Sequence, residues 1–186
     1  MRLIKPLIKT DRLTIRFVDI SDANDFFAFC SKDSVCKYLT FKKYTHIVQA
    51  RKAIENMIRA YLAETDINFS IVLNETGIVI GSISLTIINS NTAEVGYLLD
   101  DNYWNQGIMN EALKEIINLS FNVYHFDCLF ASYISENIAS EKLLAKNGFV
   151  FVQKIPGGFS KNFKNYDLIK TKLEKTYFWT DNHFCR

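Results

Sequence analysis

Short segments of the chain alternate apolar and polar residues, while longer segments repeat apolar residues at helical spacing. In residues 10–18, Leu13, Ile15 and Phe17 alternate with polar side chains, which predicts a half-buried strand. Further strands are predicted at residues 69–73, 78–88, 93–99, 127–134, 149–152 and 166–173. Together these segments predict one central sheet.

Four other segments carry the signals of helices that flank such a sheet. Ser21 is a typical N-cap residue, and Asp22 after it marks the first turn of a helix that contains Phe26. Three longer amphipathic helices are predicted at residues 48–63, 106–121 and 137–147. Gly148 follows the last of them, as glycine commonly does at a helix end.

The order of these elements predicts the fold class. It runs strand, two helices, three strands, helix, strand, helix and two strands, which indicates a mixed α/β (α+β) single domain over residues 1–175. Residues 154–164 predict a loop, because Pro156 is followed by two glycines. Residues 176–186 are a C-terminal tail without an assigned structure.

Composition narrows the functional classes. The 186 residues carry a net charge of +2, which argues against a nucleic-acid partner held by bulk charge. No apolar run approaches the roughly 20 residues that span a bilayer, and the N-terminus lacks the apolar stretch of a signal peptide. We therefore expect a cytoplasmic protein without a membrane partner.

Cysteine and histidine spacing gives no sign of a metal or redox site. The four cysteines are scattered and predict reduced, mostly buried thiols: Cys30, Cys36, Cys128 and Cys185. The three histidines are also scattered, without a second ligand at metal spacing: His46, His125 and His183. We expect no bound metal.

The most informative segment is the polar turn at residues 104–110, which joins a predicted strand to a predicted helix. Gly107 lies where the turn becomes the helix. Several backbone N–H groups then point at one place, and the helix dipole adds positive potential there, which suits phosphate oxygens. The alternative is an ordinary strand-to-helix turn.

Four segments in the same order resemble GNAT-superfamily N-acetyltransferases of the RimJ/RimL ribosomal-protein-acetyltransferase branch. They are TDRLTIR at residues 10–16, AEVGY at 93–97, WNQGIMNEA at 104–112 and ENIASEKLLAKNGF at 136–149. The resemblance covers most of the chain. It implies the GNAT acyl-CoA N-acyltransferase fold, with a central mixed sheet flanked by helices.

The resemblance also implies acetyl-CoA as the cosubstrate. Backbone amides of the family's Q/R-x-x-G-x-G/A loop hold the CoA pyrophosphate, which here assigns Trp104, Asn105, Gln106, Gly107, Ile108, Met109 and Asn110. Leu98 and Leu99 would pair with the pantetheine arm, and Asn137 would hydrogen-bond it. Trp104 and Met109 depart from the family pattern, and Asn105 replaces a common glycine, although asparagine tolerates positive φ well.

Two catalytic residues follow from the resemblance. Glu94 lies where some relatives carry the base that deprotonates the amine, or it is a solvated strand glutamate. The tyrosine that protonates the CoA thiolate in many relatives is replaced by Leu144. Ser140 is then the expected proton donor, unless it only positions the cosubstrate, and Tyr133 is a fallback.

The sequence therefore predicts an N-acetyltransferase that transfers the acetyl group of acetyl-CoA to a primary amine by direct attack in a ternary complex. The acceptor is a small amine or a protein N-terminus, and a homodimer is compatible with the branch. The alternatives are a non-catalytic acyl-CoA-binding module and a nucleotide or RNA binder, which fits the near-neutral charge poorly. Five aromatic residues either line the acceptor cleft or pack in the core: Phe26, Phe27, Phe29, Tyr44 and Tyr61.

Overall fold

A computed structural model describes residues 5–176, which form one sheet with helices on both faces. The strands are β1 (Ile8–Lys9), β2 (Leu13–Phe17), β3 (Asp66–Leu73), β4 (Val79–Asn89), β5 (Thr92–Leu99), β6 (Cys128–Ile134), β7 (Val150–Lys161) and β8 (Lys164–Glu174). Their order across the sheet is β1-β2-β3-β4-β5-β6-β8-β7, and β5–β6 is the parallel pair. The predicted mixed α/β class is confirmed.

Five helices accompany this sheet in the described part of the chain. They are α1 (Ala23–Cys30), α2 (Asp33–Cys36), α3 (Ile47–Leu62), α4 (Ile108–Asn122) and α5 (Ile138–Lys146). One buried cluster includes Leu113, Ile116 and Ile117 of α4, and a second includes Phe26 of α1 and Ile54 of α3. Alternate strand residues feed the two clusters, so the sheet is covered on both sides.

The first helix begins differently from the prediction. The carboxylate of Asp19, not the hydroxyl of Ser21, caps a short 3-10 turn at Ile20–Asp22, and the Ser21 amide donates to it over 2.9 Å. Asp22 is buried and accepts hydrogen bonds from Arg16. It therefore anchors the turn to β2 and is not an exposed acid in the first turn of a helix. The short helix α2 carries too few residues to show a periodic pattern, and the sequence did not predict it.

The predicted loop at residues 154–164 is wrong. This segment continues β7 and forms a long hairpin with β8, closed by Asn162 and Phe163 at φ of 50° and 62°. Pro156 and the two glycines lie within an irregularity of the β7–β8 pairing, where the register shifts between Ile155 and Phe159. Proline and glycine at a bulge are compatible with a strand, which is why these residues misled the prediction.

Candidate active site

The strands β5 and β6 separate from each other halfway along the sheet. They pair through Thr92, Ala93 and Glu94, and beyond Glu94 each strand continues with its other neighbour, β4 or β8. No register shift against β4 occurs at Gly96, so the opening does not depend on a bulge there. The result is a V-shaped gap in the middle of the sheet.

One edge of β5 presents its backbone to this gap. The Asp100 amide donates to the Ile80 carbonyl over 2.8 Å. In an antiparallel pair, every second residue of a strand directs its N–H and C=O at the same neighbouring strand. Leu98 lies two residues before Asp100, so its backbone also faces β4, whereas the backbones of Tyr97 and Leu99 face the gap. Trp104 Nε1 donates to the Leu99 carbonyl over 2.9 Å. The N–H groups of Tyr97 and Leu99 remain directed at the gap.

A cavity of about 570 Å³ lies along the same gap, between β5, α2 and the first turns of α4 and α5. The residues predicted to bind the cosubstrate that line it are Leu98, Leu99, Trp104, Asn105, Gly107, Ile108, Met109, Asn110 and Asn137. Ser140 lines it as well. Gln106 does not, since its side chain turns away and donates to the Asn102 carbonyl over 3.0 Å.

The turn before α4 has the backbone of an anion site. Gly107 is left-handed at φ of 75°, and so is Asn105 at 59°, as expected for an asparagine that replaces glycine. The amides of the first α4 turn have no acceptor within the helix and point toward the cavity end of α4. Asn110 at this end accepts from Asn147, which ties α4 to the end of α5 over 3.1 Å.

Arg12 supports this turn from behind. Its Nη1 donates to the Gln106 carbonyl over 2.9 Å, and its Nε donates to Glu111 over 2.7 Å. Thr10 donates to the same carboxylate. Burial raises the pKa of Glu111, but the hydrogen bonds from Thr10 and Arg12 outweigh burial and leave it below the ordinary value. The ion pair of Arg12 and Glu111 therefore lies directly beside the turn, with Arg12 Nη2 3.7 Å from the place that a Cβ would take at Gly107.

The first turn of α5 forms another wall. The Asn137 side chain accepts from the Ser140 amide over 3.2 Å, so Asn137 is the N-cap of α5, a role compatible with the predicted contact to the cosubstrate. Ser140 of α5 and Tyr97 of β5 both line the cavity. Burial raises the pKa of Tyr97 to about 12. Two hydroxyl groups from different elements therefore face the same cavity.

Glu94 lies on the other face of β5. Side chains alternate along a strand, so Glu94 points away from the face that carries Tyr97. It is half-buried, and Ser132 of β6 donates to it over 2.6 Å. It belongs to the last β5–β6 pair, opposite Phe130, at the point where the gap opens. Glu94 does not line the cavity, but it borders the gap from the opposite side.

Lys161, at the tip of the β7–β8 hairpin, holds in place the segment that contains Tyr38 and Leu39. Its ammonium donates to the carbonyls of Leu39 and Phe41 over 2.7 and 2.9 Å, and also to that of Cys36. Burial lowers the pKa of Lys161. Tyr38 and Leu39 of this segment line the cavity. Lys161 therefore fixes the segment that contains Tyr38 and Leu39, which we call the outer wall of the cavity.

A second tie joins α2 to the chain just before the anion site. Lys32 bonds the carboxylates of Asp100 and Asp101, and Ser34 also donates to Asp101. The hydrogen bonds from Lys32 and Ser34 lower the pKa of Asp101 to about 2. The α2 side of the cavity is thereby fixed to the loop that is predicted to bind phosphate.

Of the two alternatives for the five aromatic residues, the structure favours packing in the core. Phe26 and Phe29 are buried at 1% exposure, while Phe27, Tyr44 and Tyr61 pack against the two buried clusters. The cavity is lined instead by Tyr38, Tyr97, Tyr103 and Trp104. Tyr97 and Trp104 lie in the segments that carried the family resemblance, but nothing in the pattern indicated Tyr38 or Lys161.

Within residues 5–176, no group of three or more histidine, cysteine or acidic side chains is arranged to hold a metal ion. The described helices are each too short or too polar to cross a membrane. Cys30 and Cys36 are buried thiols, and Cys128 is partly exposed. Cys185 and His183 lie outside the described residues, as does all of the predicted tail except Thr176.

Comparison with known proteins agrees with this architecture. Residues 12–150 match the family described as Acetyltransferase (GNAT) domain. The chain is 34% identical over 143 residues to the uncharacterized N-acetyltransferase p20 of Bacillus licheniformis, which covers 75% of this chain and 80% of that protein.

Two solved structures share the fold at low sequence identity. RimL, the ribosomal L7/L12 alpha-N-protein acetyltransferase in complex with coenzyme A, has a TM-score of 0.83 and 18% identity, covering 90% of this chain and 97% of that one. The microcin C7 self immunity acetyltransferase MccE, in complex with acetyl-CoA and AMP, has a TM-score of 0.81 and 18% identity, covering 89% and 93%.

This chain belongs to the GNAT acetyltransferase family. It is an N-acetyltransferase that takes its acetyl group from acetyl-CoA and transfers it to an amine. The site fits this cosubstrate, because it combines backbone donors for phosphate at Gly107 with an open strand edge at Tyr97 and Leu99. The family favours the enzyme over the non-catalytic acyl-CoA-binding module.

Proposed function

We propose that this enzyme acetylates a primary amine carried on a largely apolar body, with the N-terminus of a peptide or protein as the first candidate. The single observation that carries the proposal is the charge of the cavity. Among the described residues that line it, Glu136 and Lys142 are the charged ones, and Lys164 pairs with Glu136 over 3.0 Å. The rest of the lining is mainly aliphatic, aromatic or amide.

This lining disfavours a polyamine or aminoglycoside acceptor. A polycation would bring several ammonium groups into the cavity, and the loss of hydration of each one is costly unless a carboxylate lies nearby. The outer wall offers Val35, Tyr38 and Leu39, which suit an apolar side chain beside a single reacting amine. RimL is named for acetylation of a ribosomal protein α-amine, which is consistent with this acceptor class.

We assign cosubstrate binding, polarisation of the thioester and proton removal to residues around the gap. The loop from Trp104 to Asn110 and the N-cap Asn137 hold acetyl-CoA in the cavity, so the thioester meets the gap between β5 and β6. The N–H groups of Tyr97 and Leu99 polarise the thioester carbonyl as negative charge develops on it. The acceptor reaches the gap along the wall formed by Val35, Tyr38 and Leu39. The Glu94 carboxylate, at the point where the gap opens, takes a proton from the attacking amine, directly or through water.

Leaving-group stabilisation is assigned to Ser140. The departing thiolate carries the charge released when the carbon–sulfur bond breaks, and a hydroxyl in the cavity can donate a hydrogen bond to it. Ser140 lines the cavity, whereas Tyr133, the fallback, is partly buried on β6 outside that lining. Both reactants are held together in a ternary complex, which supplies proximity without an acyl-enzyme.

A homodimer is part of the proposal. β7 is an edge strand, and its consecutive residues Val150, Phe151 and Val152 are exposed at 50%, 66% and 40%. An exposed apolar edge strand is a surface that a second copy can cover. Light scattering of the wild type and of Phe151→Lys tests this, and a monomeric wild type would reject it.

The acceptor class is tested by competition. Peptides with free N-termini, spermidine and kanamycin are each offered with acetyl-CoA, and release of the CoA thiol is followed together with the mass of the product. We expect the highest kcat/KM with a peptide and acetylation at its α-amine. A higher kcat/KM with spermidine or kanamycin would overturn the acceptor assignment while leaving the acetyl-transfer reaction intact.

A further inference from the structure

The tip of the β7–β8 hairpin contacts two opposite walls of the cavity. On the α2 side, Lys161 Nζ donates to the Leu39 carbonyl over 2.7 Å, and Leu39 lines the cavity. On the α5 side, Lys164 Nζ pairs with Glu136 Oε1 over 3.0 Å, and Glu136, just before α5, lines the cavity as well. The two residues between Lys161 and Lys164 therefore lie at the mouth of the cavity.

One of these two residues is a phenylalanine with its whole side chain in solvent. Phe163 is 112% exposed, and its backbone is left-handed at φ of 62°. A ring in this position buries almost no area and so contributes little to folding. Exposed aromatic rings are common anchors in protein recognition. Phe163 is therefore available to an acceptor that extends out of the cavity.

Two exposed lysines lie at the same mouth. Lys164, which pairs with the exposed Glu136, also places its ammonium over the ring of Tyr166, 4.5 Å from the centroid. The Lys37 ammonium lies over the ring of Tyr38, 4.8 Å from the centroid, and Tyr38 lines the cavity. Within residues 5–176, no carboxylate forms an ion pair with Lys37. Its charge is available to a ligand.

The neighbouring acids do not cancel this positive charge. Asp33 of α2 already pairs with Lys43 over 2.6 Å. Glu136 is the one acid among the described residues that line the cavity. Five residues form what we call the rim: Lys37, Tyr38, Glu136, Phe163 and Lys164. Two ammonium groups and one carboxylate give the rim a net charge of +1.

We propose that the rim binds an acidic segment of the acceptor, which follows the reacting N-terminus of a peptide or protein. This inference rests on the proposed function, in which the acceptor is an N-terminal amine. Carboxylates of the segment contact the ammonium groups of Lys37 and Lys164, and an apolar side chain covers Phe163. The first residue of the acceptor stays beside the apolar outer wall.

The charge preference is measured with three peptides that share one sequence except at the third to fifth positions, which hold glutamate, glutamine or lysine. We expect kcat/KM to be about 5-fold to 10-fold higher with glutamate than with glutamine, as for two exposed ion pairs, and lowest with lysine. The difference should lie in KM, because the rim is outside the gap where the amine reacts. It should shrink in about 0.5 M salt, which screens exposed charges.

Removing the two rim ammonium groups should reverse the preference. In Lys37→Gln/Lys164→Gln, the Glu136 carboxylate loses its partner and the rim becomes negative. The KM for the lysine peptide should then fall below that for the glutamate peptide, a gain that a damaged fold cannot produce. Lys154→Gln/Lys172→Gln is the matched control, because it removes two paired lysines of the same hairpin away from its tip. It should keep the wild-type order of the peptides.

The apolar contact is tested by Phe163→Ser. We expect the KM for the glutamate peptide to rise about 3-fold with kcat unchanged, as for the loss of one partly covered ring. Light scattering should give the same mass for Phe163→Ser as for the wild type. A smaller mass would assign Phe163 to a contact between copies of the chain and would overturn its role at the rim.

Two further results would overturn the inference and leave the proposed function intact. One is an equal KM for the glutamate and glutamine peptides with the wild type. The other is an unchanged order of the peptides in Lys37→Gln/Lys164→Gln. A wild type that acetylates spermidine or kanamycin and none of the three peptides would overturn the proposed acceptor class together with this inference.

Discussion

Arg12 and Glu111 are 99 residues apart in the chain, yet Arg12 Nε donates to Glu111 Oε2 over 2.7 Å. The same guanidinium holds the Gln106 carbonyl, and Thr10 reaches the same carboxylate. The start of β2 is therefore fastened to the start of α4. This contact gives a physical reason why the segments at residues 10–16 and 104–112 occur together in the family pattern.

Replacing Arg12 should weaken acetyl-CoA binding. Arg12→Met frees the Gln106 carbonyl and leaves the Glu111 carboxylate unpaired beside the anion site, where its charge opposes phosphate. We expect the Kd for acetyl-CoA by calorimetry to rise about 10-fold, as for one lost charge-assisted hydrogen bond. Arg59→Met is the control, because Arg59 forms an exposed i,i+4 pair with Glu55. Equal effects of the two variants would contradict the role given to Arg12.

The anion site itself is tested at Gly107. Gly107→Asp places a carboxylate among the amides that receive the pyrophosphate and should abolish acetyl-CoA binding in calorimetry. The change also strains a backbone at φ of 75°. Gly77→Asp controls for that strain, because Gly77 has φ of 71° in a turn with open space around its Cβ position. Retained affinity in Gly107→Asp would reject the loop assignment.

Glu94 should affect turnover rather than cosubstrate binding. Glu94→Gln keeps the size of the side chain and an acceptor for Ser132 but cannot take a proton. We expect kcat with the best amine to fall about 100-fold, within the range for general base catalysis, and the Kd for acetyl-CoA to stay the same. Ser132→Ala should give a smaller loss. Unchanged kcat in Glu94→Gln would assign proton removal to water or another group.

Lys161 should control the acceptor and not acetyl-CoA. Lys161→Met removes the ammonium that holds the carbonyls of Leu39 and Phe41, so the outer wall of the cavity loosens. We expect the KM for the acceptor to rise about 5-fold while the Kd for acetyl-CoA stays constant. Lys154→Met is the matched hairpin control, since Lys154 pairs with Asp167 away from that wall. A rise in the acetyl-CoA Kd instead would contradict this division of roles.

The tie between Lys32 and Asp101 predicts a pH dependence of stability. The folded-state pKa of Asp101 is about 2, below the ordinary 3.8, so its contribution is fully present above pH 4 and is lost as pH falls toward 2. Asp101→Asn should therefore have a lower melting temperature than the wild type at pH 6. We expect the difference to shrink between pH 4 and pH 2. A difference that is constant with pH would show that ionisation of Asp101 does not matter.

Periodic segments were predictable because the spacing of their apolar residues shows which face is buried. Residues 48–63 and 106–121 were predicted as helices, and the structure has α3 at Ile47–Leu62 and α4 at Ile108–Asn122. The left-handed positions in the anion turn were also within reach, because glycine and asparagine tolerate positive φ. The family resemblance then supplied the reaction.

Contacts between distant segments were not predictable in this way. Lys161 lies in a segment that was predicted as a loop because of Pro156 and the two glycines. The segment is a strand, because an irregularity in its pairing with β8 accommodates these residues. Tyr97 is one more residue in an alternating strand, and its place in the cavity wall depends on how β5 and α5 are arranged in the fold. The direction of the Leu98 backbone depends on pairing with β4, which the strand's own sequence does not encode.

We place the transfer of acetyl from acetyl-CoA to an amine in the gap between β5 and β6. The most direct measurement follows thiol release and product mass with acetyl-CoA and peptides bearing free N-termini, for the wild type, Gly107→Asp and Gly77→Asp. We expect an acetylated α-amine with the wild type and Gly77→Asp and none with Gly107→Asp. Undiminished acetylation by Gly107→Asp, or a wild type that binds acetyl-CoA but acetylates no amine, would contradict it.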